Sequence, residues 1–149
     1  NKRETLLSRR NLLRATLPVA ASGLRAAPRR PNFLFVLADD QSYPHAGAYG
    51  TRGIRTPAFD RIAREGVLFN NSFCASPSCT PSRSGILTGR NMWQVEEAGL
   101  LYGTIPPKYP LVTHLLEDAG YHVGFTGKGW APGNWSAGGL KRHPNGKEF

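Results

Sequence analysis

Three groups of reactive side chains stand where a chain of alternating strands and helices would bring them together. Asp39 and Asp40 follow an apolar run, Cys79 and Arg83 lie at the start of a helical segment, and Lys128 follows an alternating apolar segment. In open parallel sheets, ligands bind beyond the carboxyl ends of the strands. The sequence therefore predicts that these five side chains contribute to one site.

Each group has a chemistry of its own. Adjacent carboxylates repel one another unless a cation lies between them, and hard divalent cations prefer oxygen ligands. Asp39 and Asp40 therefore indicate a metal site, although such a pair also occurs in solvated loops. The free amides at a helix start favour an anion beside Cys79. Arg83 lies one turn further on and can reach back to the same place, unless it is an ordinary surface arginine.

The elements that must position these groups can be read from apolar periodicity. The run from Phe33 to Leu37 predicts a central strand that is covered on both faces. Thr56 and Pro57 predict a helix start. The segment 67–69 predicts a second, shorter strand.

Further along the chain, Thr80 and Pro81 predict a helix that continues to Thr88 and is closed by Gly89. Another helix is predicted from Pro110 to Gly120, with one apolar face. The alternation over 121–125 predicts a strand, whereas 91–108 and the residues from 131 onward are predicted as loops. Strands that alternate with helices indicate an α/β fold with a largely parallel sheet.

The pentapeptide Cys79-Thr80-Pro81-Ser82-Arg83, followed by Ser84, Gly85 and 87–90, resembles the signature of the sulfatase family. In that family the cysteine is oxidised to formylglycine, and its hydrated aldehyde attacks sulfur. The resemblance thus implies that Cys79 and Arg83 are catalytic. A second signature, which ends in Gly-Lys-x-His, resembles Gly120, Tyr121 and 126–128 and implies that Lys128 contacts the sulfate. Trp130 stands where many members have histidine, which suggests a different substrate pocket.

The same resemblance implies a cofactor and a fold. Asp39, Asp40 and Cys79 would be ligands of calcium, or of magnesium as in some members, with further ligands downstream. The fold would be that of the alkaline-phosphatase-like superfamily, a mostly parallel sheet sandwiched by helices. Residues 31–149 would form the N-terminal portion of a truncated catalytic domain.

The positive charge of the chain is concentrated at its start. Of the net charge of +9, residues 1–30 carry +7, from eight basic residues against Glu4. Residues 1–27 resemble a twin-arginine export signal, with Arg9 and Arg10 before a short apolar stretch. We therefore expect a periplasmic or secreted protein whose partners include the twin-arginine (Tat) export machinery. Nucleic acid is not expected as a partner, because the remaining chain carries only +2.

Several residues have two interpretations. Cys74 and Cys79 could form a disulfide, but this would consume the thiol that the signature requires, so Cys74 is expected to be a small buried residue. Trp130 and Trp135 could stack on a substrate ring or pack on their own domain. His45 is the only histidine expected near the site, whereas His114 is expected to be structural or partly exposed.

The resemblance implies a sulfuric ester hydrolase that acts on a sulfated small molecule or carbohydrate. A formylglycine-generating or maturase enzyme would be a further partner. Two alternatives stay open. The first is a phosphonate or phosphate ester hydrolase of the same superfamily, and the second is a non-catalytic fragment.

Overall fold

A computed structural model describes residues 30–149, so the predicted export signal over 1–27 lies outside the described residues. The described residues divide into two units, 30–37 and 38–149. The described part of the first unit, 30–37, forms no helix or strand. In the second unit the structure shows three α-helices, several short 3₁₀ turns and a small parallel sheet.

Helix α1 spans Pro57–Glu65 and begins at the predicted proline. Thr56 does not cap the helix amides. Its hydroxyl instead donates to Asp60 Oδ1 at 2.8 Å and accepts from the amide of Gly47 at 2.8 Å. Asp60 Oδ1 also accepts from the amide of Ala48. These bonds fix the 3₁₀ turn Gly47–Tyr49 against the start of α1.

Helix α2 spans Cys79–Thr88 and ends, as predicted, at Gly89, which adopts a φ of 66°. Its start lies two residues earlier than expected, so Cys79 is the first helical residue and Thr80 does not cap the helix. Pro81 is tolerated because the first-turn amides have no acceptor within the helix.

Helix α3 spans Val112–Asp118 within the predicted segment, and Gly120 follows with a φ of 84°. Strand β1, Gly124–Phe125, pairs in parallel with β2, Lys147–Glu148. The strand predicted over 121–125 is thus confirmed only at its end. The parallel pairing and the helices agree with the predicted α/β class.

The predicted strands at 33–37 and 67–69 were wrong for this structure. Neither segment forms a strand, and large apolar side chains in both are exposed, among them Leu34 at 90% and Val67 at 74%. An apolar run predicts burial but does not specify a hydrogen-bonded neighbour, and a strand needs both. Among the described residues the only ladder is that between β1 and β2.

Half of the hydrophobic core residues lie in a segment that was predicted as a loop, so that prediction was also wrong. Residues 91–108 contain the 3₁₀ helices Met92–Gln94 and Glu96–Gly99 and supply Val95, Ala98 and Ile105 to the core. The segment after 131 contains the 3₁₀ helix Ser136–Gly138 and strand β2. The core residues are Leu87, Val95, Ala98, Ile105, Leu111 and Trp130.

No helix formed by residues 30–149 is both long enough and apolar enough to cross a bilayer.

The ring of His143 joins the last segment of the chain to β1. It stacks on the Phe125 ring at a centroid distance of 4.5 Å and meets the Trp135 ring edge-on at 5.2 Å. Its Nδ1 accepts a hydrogen bond from the amide of Asn145, which requires an unprotonated Nδ1. Burial is the main cause that lowers the pKa of His143 from its ordinary value of 6.5.

We expect His143 to make the folded chain sensitive to acid. The pKa of His143 is lower in the folded than in the unfolded chain. As the pH falls through 6.5, the histidine therefore binds more protons in the unfolded chain, and the free energy of unfolding decreases. His143→Gln should reduce the fall in melting temperature between pH 8 and pH 5.5, measured by circular dichroism. The matched substitution His45→Gln, at an exposed loop residue, should leave that fall unchanged. Equal effects of the two substitutions would contradict this assignment.

Candidate active site around Cys79

Asp39 is the centre of the site in the second unit. Its Oδ2 accepts a hydrogen bond from Lys128 Nζ at 2.7 Å, and its Oδ1 lies 3.4 Å from Arg83 Nη2. The Asp39 carboxylate is about half exposed. Residues 89 positions apart in the sequence thus form an ion pair.

Lys128 connects this carboxylate to the cysteine of the pentapeptide. Its Nζ lies 3.4 Å from Cys79 Sγ as well as 2.7 Å from Asp39 Oδ2. Cys79 is partly buried and has a free thiol. The ammonium is therefore in contact with the predicted nucleophile and with a predicted metal ligand.

Arg83 lies one turn after Cys79 on α2, and its side chain is only 8% exposed. Its Nη1 donates to the backbone carbonyl oxygen of Lys128 at 2.7 Å, while Nη2 faces Asp39. The alternative of an ordinary surface arginine does not describe this side chain. Arg83 instead joins helix α2 to the backbone of Lys128 and to the carboxylate of Asp39.

The predicted metal ligands lie close together. Asp39, Asp40 and Cys79 each offer one ligand atom, and these three atoms lie within 4.8 Å of one another. Asp40 has a φ of 54°, a conformation that aspartate tolerates better than most residues. Carboxylate oxygens suit calcium or magnesium, and a protein site for calcium needs about six to eight oxygen ligands. The two carboxylates fit such an ion and would supply part of its coordination shell, whereas a thiol sulfur suits softer metals.

The ion pair changes the acidity of both its members. The hydrogen bond from Lys128 is the largest cause that lowers the pKa of Asp39 below 3.8, with the nearby Arg83 charge acting in the same direction. The bond to Asp39 is likewise the largest cause that raises the pKa of Lys128 above 10.5. At neutral pH the site therefore holds a charged carboxylate and a charged ammonium.

The structure thus brings together all five residues singled out from the sequence. Sequence reasoning did not anticipate the bond from Arg83 to the Lys128 carbonyl. It also did not anticipate that Thr80, with its side chain fully buried, would accept from the amide of Gly133 at 3.4 Å. No local pattern could have indicated these contacts, because their partners lie 45 and 53 residues away.

The remaining candidate residues have other environments. Trp130 is 5% exposed and belongs to the core, and the partly buried Trp135 packs against that core. Both tryptophans therefore pack on their own domain, as the second interpretation expected. His114 is structural as expected, since its Nε2 donates to the carbonyl oxygen of His143 at 3.1 Å. His45 is exposed in the loop after the aspartates, and its carbonyl accepts from the side chain of Gln41.

The two cysteines are both free. The expectation that Cys74 is buried was wrong, because it is exposed. It follows Phe73, which is 90% exposed, in a segment without regular secondary structure, so the apolar composition around it does not produce burial.

Comparison with known proteins identifies the family. The model of the sulfatase family matches residues 31–145. The chain belongs to the sulfatase family. It is 40% identical to steryl-sulfatase of Mus musculus over 112 residues, which cover 68% of this chain and 18% of that protein. No solved structure matches this chain.

Other relatives of this sulfatase chain have names that refer to sugar substrates. It is 36% identical to N-acetylgalactosamine-6-sulfatase of Sus scrofa over 127 residues, 75% of this chain and 24% of that protein. It is also 36% identical to N-acetylgalactosamine-6-O-sulfatase of Bacteroides thetaiotaomicron over 104 residues, 67% of this chain and 20% of that protein. The chain thus spans about a fifth of the length of these relatives.

Removal of the Lys128 charge should raise the pKa of Asp39 towards 3.8. We expect this change in Lys128→Met, with the carboxyl carbon of Asp39 followed by NMR through a pH titration in the presence of a chelator. The matched substitution Lys141→Met removes an exposed charge elsewhere and should leave the titration of Asp39 unchanged. If Asp39 titrated identically in wild type and Lys128→Met, the ion pair would not persist in solution.

Proposed function

We propose that this chain provides the nucleophile and part of the metal site of a sulfuric ester hydrolase. The proposal is supported chiefly by the contact of Lys128 Nζ with both Cys79 Sγ and Asp39 Oδ2, within a chain of the sulfatase family. Cys79, after oxidation to formylglycine by the maturation enzyme, would supply a hydrated aldehyde. One of its hydroxyl groups would attack sulfur and displace the alcohol of the ester, which leaves a sulfate ester on residue 79. The second hydroxyl would then lose its proton, so that the aldehyde re-forms and sulfate leaves.

The side chains around Cys79 would bind and orient the sulfate group. Lys128 Nζ is in contact with the nucleophile, so it can hold a sulfate oxygen beside the attacking atom. Cys79 is the first residue of α2, and the amides at a helix start carry partial positive charge, which favours an anion there and the charge that develops on it. Arg83, which is buried and bound to the Lys128 carbonyl, would keep the lysine and the nucleophile in fixed relative positions.

The charge of the cluster supports a divalent metal. Asp39 and Asp40 carry two negative charges, and Lys128 and Arg83 carry two positive charges, so the four side chains together present no net charge to an anionic substrate. A calcium or magnesium ion held by the two aspartates and residue 79 would supply the missing positive charge and polarise oxygen atoms bound to it. Its remaining ligands would come from outside the described residues.

The burial of the pentapeptide bears on the proposed maturation. Thr80 and Ser84 are fully buried, and Pro81 and Arg83 are also buried in the folded chain. An enzyme that reads these side chains would therefore have to act before α2 packs into the core. We infer that formylglycine-generating or maturase activity precedes folding. Modification before folding would also come before the folded protein is exported by the proposed twin-arginine route to the periplasm or outside the cell.

The substrate that we propose is a sulfate ester of a carbohydrate. This rests on the names of N-acetylgalactosamine sulfatases among the relatives, whereas the name of another relative refers to a steryl sulfate. Because Trp130 and Trp135 pack on the core, the substrate ring would be bound by other residues.

Oxidation of Cys79 is the first test of this function. In protein recovered from its native host, peptide mass spectrometry should show a loss of about 18 Da at Cys79 relative to cysteine, since an aldehyde replaces the thiol side chain. Cys74 serves as the internal control and should stay unmodified. Cys79→Ala should lower hydrolysis of an aryl sulfate by roughly a thousandfold or more, as expected for loss of a nucleophile. An unmodified, alkylatable Cys79 in active protein would refute this role, and faster hydrolysis of an aryl phosphate than of the sulfate would favour the phosphate ester alternative.

Metal binding has a test of its own. Asp40→Asn and Asp39→Asn should each weaken calcium binding by about tenfold or more in isothermal titration calorimetry, because each loses a charged oxygen ligand. Asp118→Asn removes an equal charge from a surface pair with Arg142 and should leave calcium binding unchanged. The metal assignment fails if Asp39→Asn and Asp40→Asn both bind calcium and magnesium with the affinity of wild type.

A further inference from the structure

Trp130 lies two residues after Lys128, yet its side chain belongs to the core. It is 5% exposed and shares a cluster with Leu87 of α2 and Leu111 before α3. In this chain the buried indole leaves residue 130 unable to contact a substrate, so its contribution to the site must be indirect.

The side chain of Lys128 does not fix its own position. It is long, it is 37% exposed, and its partner Asp39 is 48% exposed. Ion pairs of such exposed groups contribute little and compete with the entropy of a flexible side chain. The location of Nζ beside Cys79 therefore depends on where the backbone of residue 128 is held.

The backbone around Lys128 is confined on both sides of Trp130. Arg83 binds the carbonyl of Lys128 at 2.7 Å. At Gly129, an added Cβ would lie 2.6 Å from the Phe125 ring and 3.1 Å from the His143 ring. At Gly133, an added Cβ would lie 2.1 Å from the carbonyl oxygen of Gly103. The segment is therefore closely packed on both sides of residue 130, and the indole of Trp130 is its side chain in the core cluster.

We propose that Trp130 is a positioning residue for Lys128. Its buried indole anchors the segment 128–133 to the core that also holds α2, and this anchor keeps Lys128 Nζ against residue 79. The catalytic part of this inference rests on the proposed function, whereas its geometric part does not. A smaller side chain at 130 should release Lys128 from Cys79 even when α2 remains folded.

The geometric part can be tested without catalysis, on the full chain prepared with Cys79 as a thiol. Iodoacetamide labelling followed by peptide mass spectrometry gives the alkylation rate of Cys79 relative to that of exposed Cys74 in the same sample. A neighbouring cation promotes alkylation of a thiol, so Lys128→Met should lower this ratio by about threefold or more. Trp130→Leu should lower it by a similar factor, and the double variant should show no further decrease.

Two variants separate positioning from general loss of core packing. Trp130→Phe keeps an aromatic anchor and should retain most of the wild-type ratio. Leu87→Ala removes core volume from the same cluster without altering the segment 128–133, and its ratio should stay near that of wild type. All variants are compared at a temperature where circular dichroism shows wild-type helix content. An unchanged or higher ratio in Trp130→Leu, or an equal decrease in Leu87→Ala, would overturn the proposal.

The catalytic part uses the matured enzyme. Trp130→Leu should lower kcat for an aryl sulfate by about tenfold, because the lysine is no longer held beside the nucleophile, and Trp130→Phe should restore most of it. Wild-type kcat in Trp130→Leu would refute a positioning role in catalysis. If the wild-type enzyme hydrolyses no sulfate ester, the proposed function fails, and the alkylation ratios still decide whether Trp130 positions Lys128.

Discussion

The buried guanidinium of Arg83 is the constraint on which the site depends. It enters from the first turns of α2, donates to the Lys128 carbonyl at 2.7 Å and faces Asp39 at 3.4 Å. A charged group that is only 8% exposed needs partners for its donors, because burial without them is costly. The hydrogen-bond donors of one arginine thus bring together three segments that are far apart in the sequence.

The core explains why α2 can present its first turn to the site. Leu87, near the end of this helix, packs with Val95, Ile105 and Leu111. Thr80, near its start, is also fully buried, so both ends of the helix are held. Cys79 then stands at the margin between the core and solvent. This partial burial suits a residue that must meet a substrate in the folded protein, as the proposed function requires.

Local signals predicted the helices well and the strands poorly. Pro57, Gly89 and Gly120 mark helix ends through backbone restrictions that act within a few residues, so the sequence alone locates them. The run 33–37 has the composition of a central strand, but pairing depends on a neighbour that composition does not specify. The five site residues were recognisable because their motifs are local. The bonds among them were not, since the atoms they join come from positions 44 to 89 residues apart.

The strength of the contacts at the site follows an order that fits the proposed chemistry. The bond of Arg83 to a backbone carbonyl is buried and shielded from water, whereas the pair of Lys128 with Asp39 is partly exposed to solvent and therefore weaker. The first contact fixes the backbone, and the second can be exchanged at little cost. In the proposed enzyme a cation at Asp39 would compete with Lys128 for the carboxylate, and an arriving sulfate would offer the ammonium another partner. A rigid backbone with an exchangeable ammonium can therefore keep Lys128 beside residue 79 while its ionic partner changes.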